Sequence, residues 1–168
     1  MMNIKAIGLA IMAVLLLGAC SASFSEQKSE AKEAVGNVFN GKPEEANNSS
    51  KDIKYHLPLG VEVKEEAPNN ILLVNGSRTY LLFYNQHEGA DSKVVYESAL
   101  KQEKDWDGNE TYTKDGKFGY MLIKKVKDDT YQLIVGIGGI KLTTETKAKN
   151  IKKDAEEMMK IANSVKVE

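Results

Sequence analysis

The chain has 168 residues, of which 42% are hydrophobic and 28% charged, and its formal net charge is −1. This length suits one domain with a core of ordinary size, and the composition excludes a collagen-like or wholly disordered chain. The near-neutral charge argues against a nucleic-acid partner, because phosphates select a strongly basic surface. Cys20 is the only cysteine, so no disulfide can form within the chain and the core must stand without one.

In chain order, residues 1–19 read as a leader. Lys5 precedes an apolar run from Ala6 to Ala19, and no acidic residue occurs before Cys20. The run has the length of a signal-peptide core and is shorter than the roughly 20 residues of a spanning helix. It ends in Leu17-Gly18-Ala19-Cys20. This tetrapeptide resembles the lipobox of bacterial lipoproteins, in which a branched residue and two small ones precede an invariant cysteine.

The resemblance implies a sequence of chemical events. A diacylglyceryl group is transferred to the Cys20 sulfur, and a signal peptidase cuts before Cys20, admitting the backbone because Gly18 and Ala19 are small. The lipid-modified Cys20 becomes the mature N-terminus. The lipoprotein-processing enzymes and the membrane are then its expected partners, on the extracytoplasmic side. Two acyl chains suffice for stable anchoring where one is marginal.

Residues 20–51 read as the lipidated N-terminus and a polar tether, rich in Ser, Glu, Lys and Asn. Within it, residues 25–39 have the spacing of a short helix, with Ala31, Ala34, Val35 and Val38 as the apolar stripe. Gly41-Lys42-Pro43 would end it. Residues 52–168 form the expected globular domain. Its first strand is broken by Pro58 and Gly60, and residues 65–70 read as a loop. Residues 71–74 and 79–84 are strands around Asn75-Gly76, a hairpin signal.

Residues 92–104 then read as a helix, capped by Asp91 or Ser92 and burying Val95, Tyr96, Ala99 and Leu100. Residues 110–114 and 117–126 flank Asp115-Gly116, a second hairpin signal. Asp128-Asp129 turns the chain into an apolar run over residues 130–142. The last helix is the clearest element, since Ile151, Ala155, Met158, Ala162 and Val165 recur at spacings of four and three.

In residues 118–123, Phe118, Tyr120 and Leu122 oppose Met121 and Ile123, so both faces of that strand are apolar. A sheet with one wet face would alternate with polar residues. The expected fold is therefore α+β, a mainly antiparallel sheet packed with two or three helices. The order of elements resembles PsbP-like domains, through Leu57-Pro58-Leu59-Gly60 in the entry strand and the closing helix from Met158 to Lys166. That resemblance covers about residues 53–167 and implies no catalytic residue and no specific function.

Candidate chemistry is sparse. Gly136-Ile137-Gly138-Gly139 lacks the spacing of a phosphate-binding loop and lies inside an apolar run, which favours a strand with a bulge or a close helix approach. His56 and His87 are the only histidines. His87, Glu88 and Asp91 are three potential metal ligands in one loop, but surface loop residues are the better explanation. Ser77, Ser92 and Ser98 lack a nucleophile elbow. Glu65-Glu66, Asp128-Asp129 and Glu156-Glu157 are adjacent pairs whose side chains diverge, so solvated faces account for them.

Tyr80, Tyr84, Trp106, Tyr112, Tyr120 and Tyr131 are a further set. Those that share a cleft would stack on a ligand, and the rest belong to the core. The sequence thus points to a membrane-anchored extracytoplasmic lipoprotein whose one assigned site is Cys20. Its domain is expected to be a non-enzymatic binding or accessory module for a protein, peptide or envelope ligand, without cofactor or metal. The alternative is an enzyme or metal-binding protein with a dispersed site near His87.

Overall fold

A computed structural model describes residues 23–168. The leader and Cys20 lie outside the described residues. The remaining chain is α+β, with three α-helices and ten strands in two antiparallel sheets.

Ser23 caps the first helix, α1 (Phe24–Asn40), its hydroxyl accepting from the Glu26 amide at 3.2 Å. Gln27, Ala31, Val35 and Phe39 recur every four residues and are buried. Ala31, Val35 and Phe39 lie in the main core. Residues 24–40 are thus an integral helix of the domain, which corrects the expectation of a tether running to residue 51. The apolar stripe is narrow and flanked by Glu and Lys, so a polar composition hid a buried face. Ala34 and Val38 sit at its border, and Phe39 takes the place expected for Val38.

Strands β1 (Asn48–Ser49) and β2 (Ile53–Tyr55) pair with the C-terminal β10 (Lys166–Val167) in a small sheet of order β1-β2-β10. The main sheet contains β3 (Glu62–Ala67), β4 (Asn70–Asn75), β5 (Arg78–Tyr84), β6 (Gly108–Lys114), β7 (Lys117–Lys127), β8 (Thr130–Ile137) and β9 (Ile140–Lys147) in the order β3-β4-β5-β9-β8-β7-β6. β3 is an edge strand with a bulge between Val63 and Glu65. Residues 65–67, expected as loop, continue this strand by pairing with β4, with Glu65 and Glu66 exposed at the sheet edge.

The hairpins follow turn chemistry. Asp115 and Gly116 take positive φ of 49° and 73° between the paired Lys114 and Lys117, as a two-residue turn of the primed type requires. Gly76 has φ 60° between the paired Asn75 and Arg78. The apolar run over residues 130–142 is two strands, with the chain reversing at Gly138-Gly139 between the paired Ile137 and Ile140. Gly138 has φ 55°, and a Cβ there would lie 2.2 Å from the Gly89 carbonyl oxygen. Glycine is thus required by a tight reversal pressed against the loop before the second helix.

That helix, α2 (Val94–Gln102), buries Val95 and Ala99 against Phe118, Tyr120, Leu122 and Ile134. Neither Asp91 nor Ser92 is its N-cap residue, which is Lys93, although the Ser92 hydroxyl does accept from the Val94 amide at 3.2 Å. After a short 3₁₀ turn (Ala148–Asn150), α3 (Ile151–Ser164) buries Ile151, Ala155, Met158 and Ala162 as expected. Asp154, Met159 and Ile161 are buried as well. The helix ends at Ser164, so Lys166 belongs to β10 and not to the closing helix.

The two sides of the sheet are covered by different elements. Met121 and Ile123 of β7 face the core shared with α1 and α3, whereas Phe118, Tyr120 and Leu122 face α2. Because α2 packs on β7 and β8, Leu81 of β5 remains 42% exposed on that side. No described helix is long and apolar enough to cross a membrane.

Candidate functional site

Two clefts border the sheet. The first, of about 350 Å³, lies at the sheet end where β7 begins and α3 finishes. His87, Glu88, Lys117 and Asn163 supply its polar groups, and Ile137, Ile140 and Val165 its apolar ones. Lys117 donates to the Asn163 side-chain oxygen at 3.3 Å.

The ligand set proposed by the sequence does not assemble here. Glu88 accepts a hydrogen bond from the Ser92 hydroxyl. Asp91 is exposed and is not among the residues that line the cleft. His56 sits elsewhere, with its Nδ1 2.9 Å from the Glu45 carbonyl and its amide donating to Ser164 Oγ at 2.8 Å. Among the described residues, no three His, Cys, Asp or Glu side chains come together as metal ligands.

The second cleft, of about 360 Å³, is a groove between α2 and the open part of the sheet. Phe83 and Leu81 come from β5, Lys141 and Thr143 from β9, Gln132 and Ile134 from β8, and Trp106 from the segment after α2. The alternation of strands explains the placement: Tyr80, Leu82 and Tyr84 point into the main core, so Leu81 and Phe83 must point the other way. Trp106 is anchored by its indole nitrogen, which donates to the Glu103 carbonyl at 3.1 Å.

Lys141 stands out electrostatically. Its ammonium lies 5.4 Å from the centre of the Phe83 ring, and burial lowers its pKa below the ordinary lysine value. It makes no ion pair with any described residue. The acid in the same groove, Glu103, is paired with Lys124 instead. The groove thus holds a half-buried cation beside Phe83 that has no ion pair among the described residues.

No family model matches the chain, and no curated protein matches it.

The aromatic set divides accordingly. Tyr80, Tyr84, Tyr120 and Tyr131 are buried, and Tyr112 packs against the core with its hydroxyl donating to the Lys32 carbonyl at 3.0 Å. Trp106 alone of that set reaches the groove, where Phe83 joins it. Phe83 and Lys141 escaped the sequence analysis because each sits in an apolar run that suggests core. The available signal was parity: each is odd-numbered from the buried residues of its own strand.

A third feature is a buried polar cluster beneath α3. Asp154 is fully buried, accepting from Arg78 Nη1 at 2.7 Å, from Tyr80 at 3.3 Å and from the Thr146 hydroxyl. Tyr80 also donates to Glu157 at 2.7 Å, and Asn75 donates to the same carboxylate at 3.0 Å. Burial, then the hydrogen bond to Glu157, pushes the Tyr80 phenol far up. Burial alone would lower the Arg78 pKa, but the hydrogen bond and charge of Asp154 outweigh it and hold the guanidinium cationic. Glu157, expected on a solvated face, is thus part of the tie between α3 and the sheet. All its partners are satisfied internally, which suits a structural role.

Proposed function

We propose that the chain is a lipid-anchored extracytoplasmic lipoprotein whose domain is a non-enzymatic binding or accessory module for a protein, peptide or envelope ligand. The Leu17-Gly18-Ala19-Cys20 lipobox supports the anchor. The observation that carries the binding role is Lys141, an unpaired and half-buried ammonium in a groove walled by Phe83 and Trp106. Pockets for small ligands and peptide segments combine apolar walls with a few polar groups that orient the bound molecule. Here the walls suit a ring or branched side chain, and Lys141 suits a carboxylate or another anion.

Trp106 is the only tryptophan in the chain, so its emission reports on this groove directly. Short synthetic peptides that join an aromatic residue to a free carboxylate should change that emission saturably, and amidated versions should bind more weakly. Lys141→Glu should weaken the response at least tenfold, and His87→Ala should leave it unchanged. Equal binding by Lys141→Glu, or no response to any carboxylate peptide, would contradict a ligand site here.

A further inference from the structure

We infer that the end of the domain carrying the β7–β8 hairpin docks on an anionic bilayer surface, an inference that rests on the lipid anchor proposed above. Only Ser21, Ala22 and Ser23 separate Cys20 from Phe24, the first residue of α1. Four Cα–Cα steps span at most about 14 Å. A lipidated Cys20 therefore leaves the start of α1 no room to move away from the headgroups.

The start of α1 is fixed to one end of the sheet. Phe24 stacks on Tyr131 with ring centres 4.6 Å apart, and Tyr131 pairs with Lys125 across the β7–β8 hairpin. One turn later, Lys28 donates to the Asp107 carbonyl at 3.0 Å, next to the beginning of β6. At its other end α1 reaches the β6–β7 turn, where Lys114 donates to the Asn40 carbonyl at 2.9 Å. β7 runs between the two turns over 11 residues, about 36 Å. The anchor therefore selects which end of the domain meets the membrane.

The chemistry of the selected end fits a charged lipid surface. Lys125, Val126 and Lys127 are exposed, and the hairpin bulges at Val126, which has no pairing partner in the register between Lys125 and Lys127. Neither lysine makes an ion pair with a described residue. Two of the neighbouring acids are turned to backbone amides: Asp107 accepts from Lys125 N at 2.7 Å, and Asp129 from Ala148 N at 3.3 Å. Asp128 remains as an exposed acid in the turn. An apolar tip between two free lysines matches the headgroup boundary of an anionic leaflet.

Nitroxide labels on the full lipidated chain test this in vesicles of neutral and anionic phospholipid mixed about 70:30. Labels are placed at Val126→Cys and Asp128→Cys on the docking end, and at Asp115→Cys on the far turn. The two docking-end labels should be several-fold less accessible to a water-soluble nickel relaxant than the label at position 115. Adding Lys125→Glu and Lys127→Glu should restore their accessibility while the protein stays on the vesicle. A chain that remains bound with all three labels equally accessible overturns the docking alone. A chain that washes off the vesicles overturns the lipid anchor and the docking together.

Discussion

Among single residues, Asp154 is the most consequential for stability. Its carboxylate takes the Thr146 hydroxyl and the guanidinium of Arg78, a side chain only 20% exposed, with the Tyr80 hydroxyl 3.3 Å away. Removing one partner of a buried pair strands the other. Asp154→Ala is expected to destabilise the fold by about 3–5 kcal/mol, measured by urea denaturation; a loss below about 1 kcal/mol would mean that water replaces the carboxylate. The cluster was not legible in the sequence, because Arg78 and Tyr80 are distant in the chain from Asp154 and Glu157, and each charge resembles an ordinary surface one.

The phenols make a pH prediction at the same scale. Burial raises Tyr80, Tyr112 and Tyr120, and burial with the nearby Glu66 and Tyr84 raises Tyr55 to about 12. For a group whose folded pKa lies above its unfolded value, the unfolded chain releases the proton first. Stability is therefore intact below about pH 10 and falls as pH rises towards 12. Absorbance at 295 nm should show these tyrosines ionising together with unfolding. Smooth ionisation near pH 10 in a still-folded protein would contradict their burial.

Lys141 makes the opposite prediction, since its folded pKa is lowered. The burden of burying the ammonium is complete at neutral pH and is relieved as pH rises through the lowered value. Lys141→Met should raise the melting temperature at pH 7, with a smaller gain at pH 10. A lower melting temperature at pH 7 would indicate that Lys141 has a partner in the folded state.

At the scale of elements, α3 and the Gly138 turn are the parts most open to test. Met158 is fully buried, so Met158→Asp places an unpaired charge in the core and should cost about 4 kcal/mol or more. Gly138→Ala adds backbone strain of about 1–3 kcal/mol to a collision with the Gly89 carbonyl. Its thermal melt should shift down, whereas Gly76→Ala, with open space around its Cβ position, carries the strain without the collision.

Elements were legible where local chemistry decided them. The α3 periodicity, the Asp115-Gly116 turn and the two-sided apolarity of β7 each carry their structure in a few neighbouring residues. The structure departed from the sequence expectation where partners were remote. α1 is buried because α3 supplies the other half of its interface, visible in Asn163 donating to the Val38 carbonyl at 3.0 Å. That partner is not visible from the segment itself. Gly138-Gly139 is a local turn signal masked by the apolar residues on both sides of it, and the loop at Gly89 packs against the reversal.

At the scale of the molecule, the proposed anchor and the proposed binding groove fall on opposite faces of the sheet. α1 begins beside the β7–β8 hairpin, whereas the Trp106 groove lies across the opposite face of the sheet from α1. The groove itself is only partly legible: Trp106 stands out in the sequence, whereas Phe83 and Lys141 gain meaning only beside the uncovered half of the sheet.

The most direct measurement of the central claim is metabolic labelling of the full chain with radioactive palmitate in a bacterial host. Lipidation at Cys20 predicts a labelled protein in the membrane fraction, and Cys20→Ala should carry no label and lose its membrane attachment. Undiminished label on Cys20→Ala, or an unlabelled wild-type chain that fractionates with soluble protein, would contradict the lipid anchor.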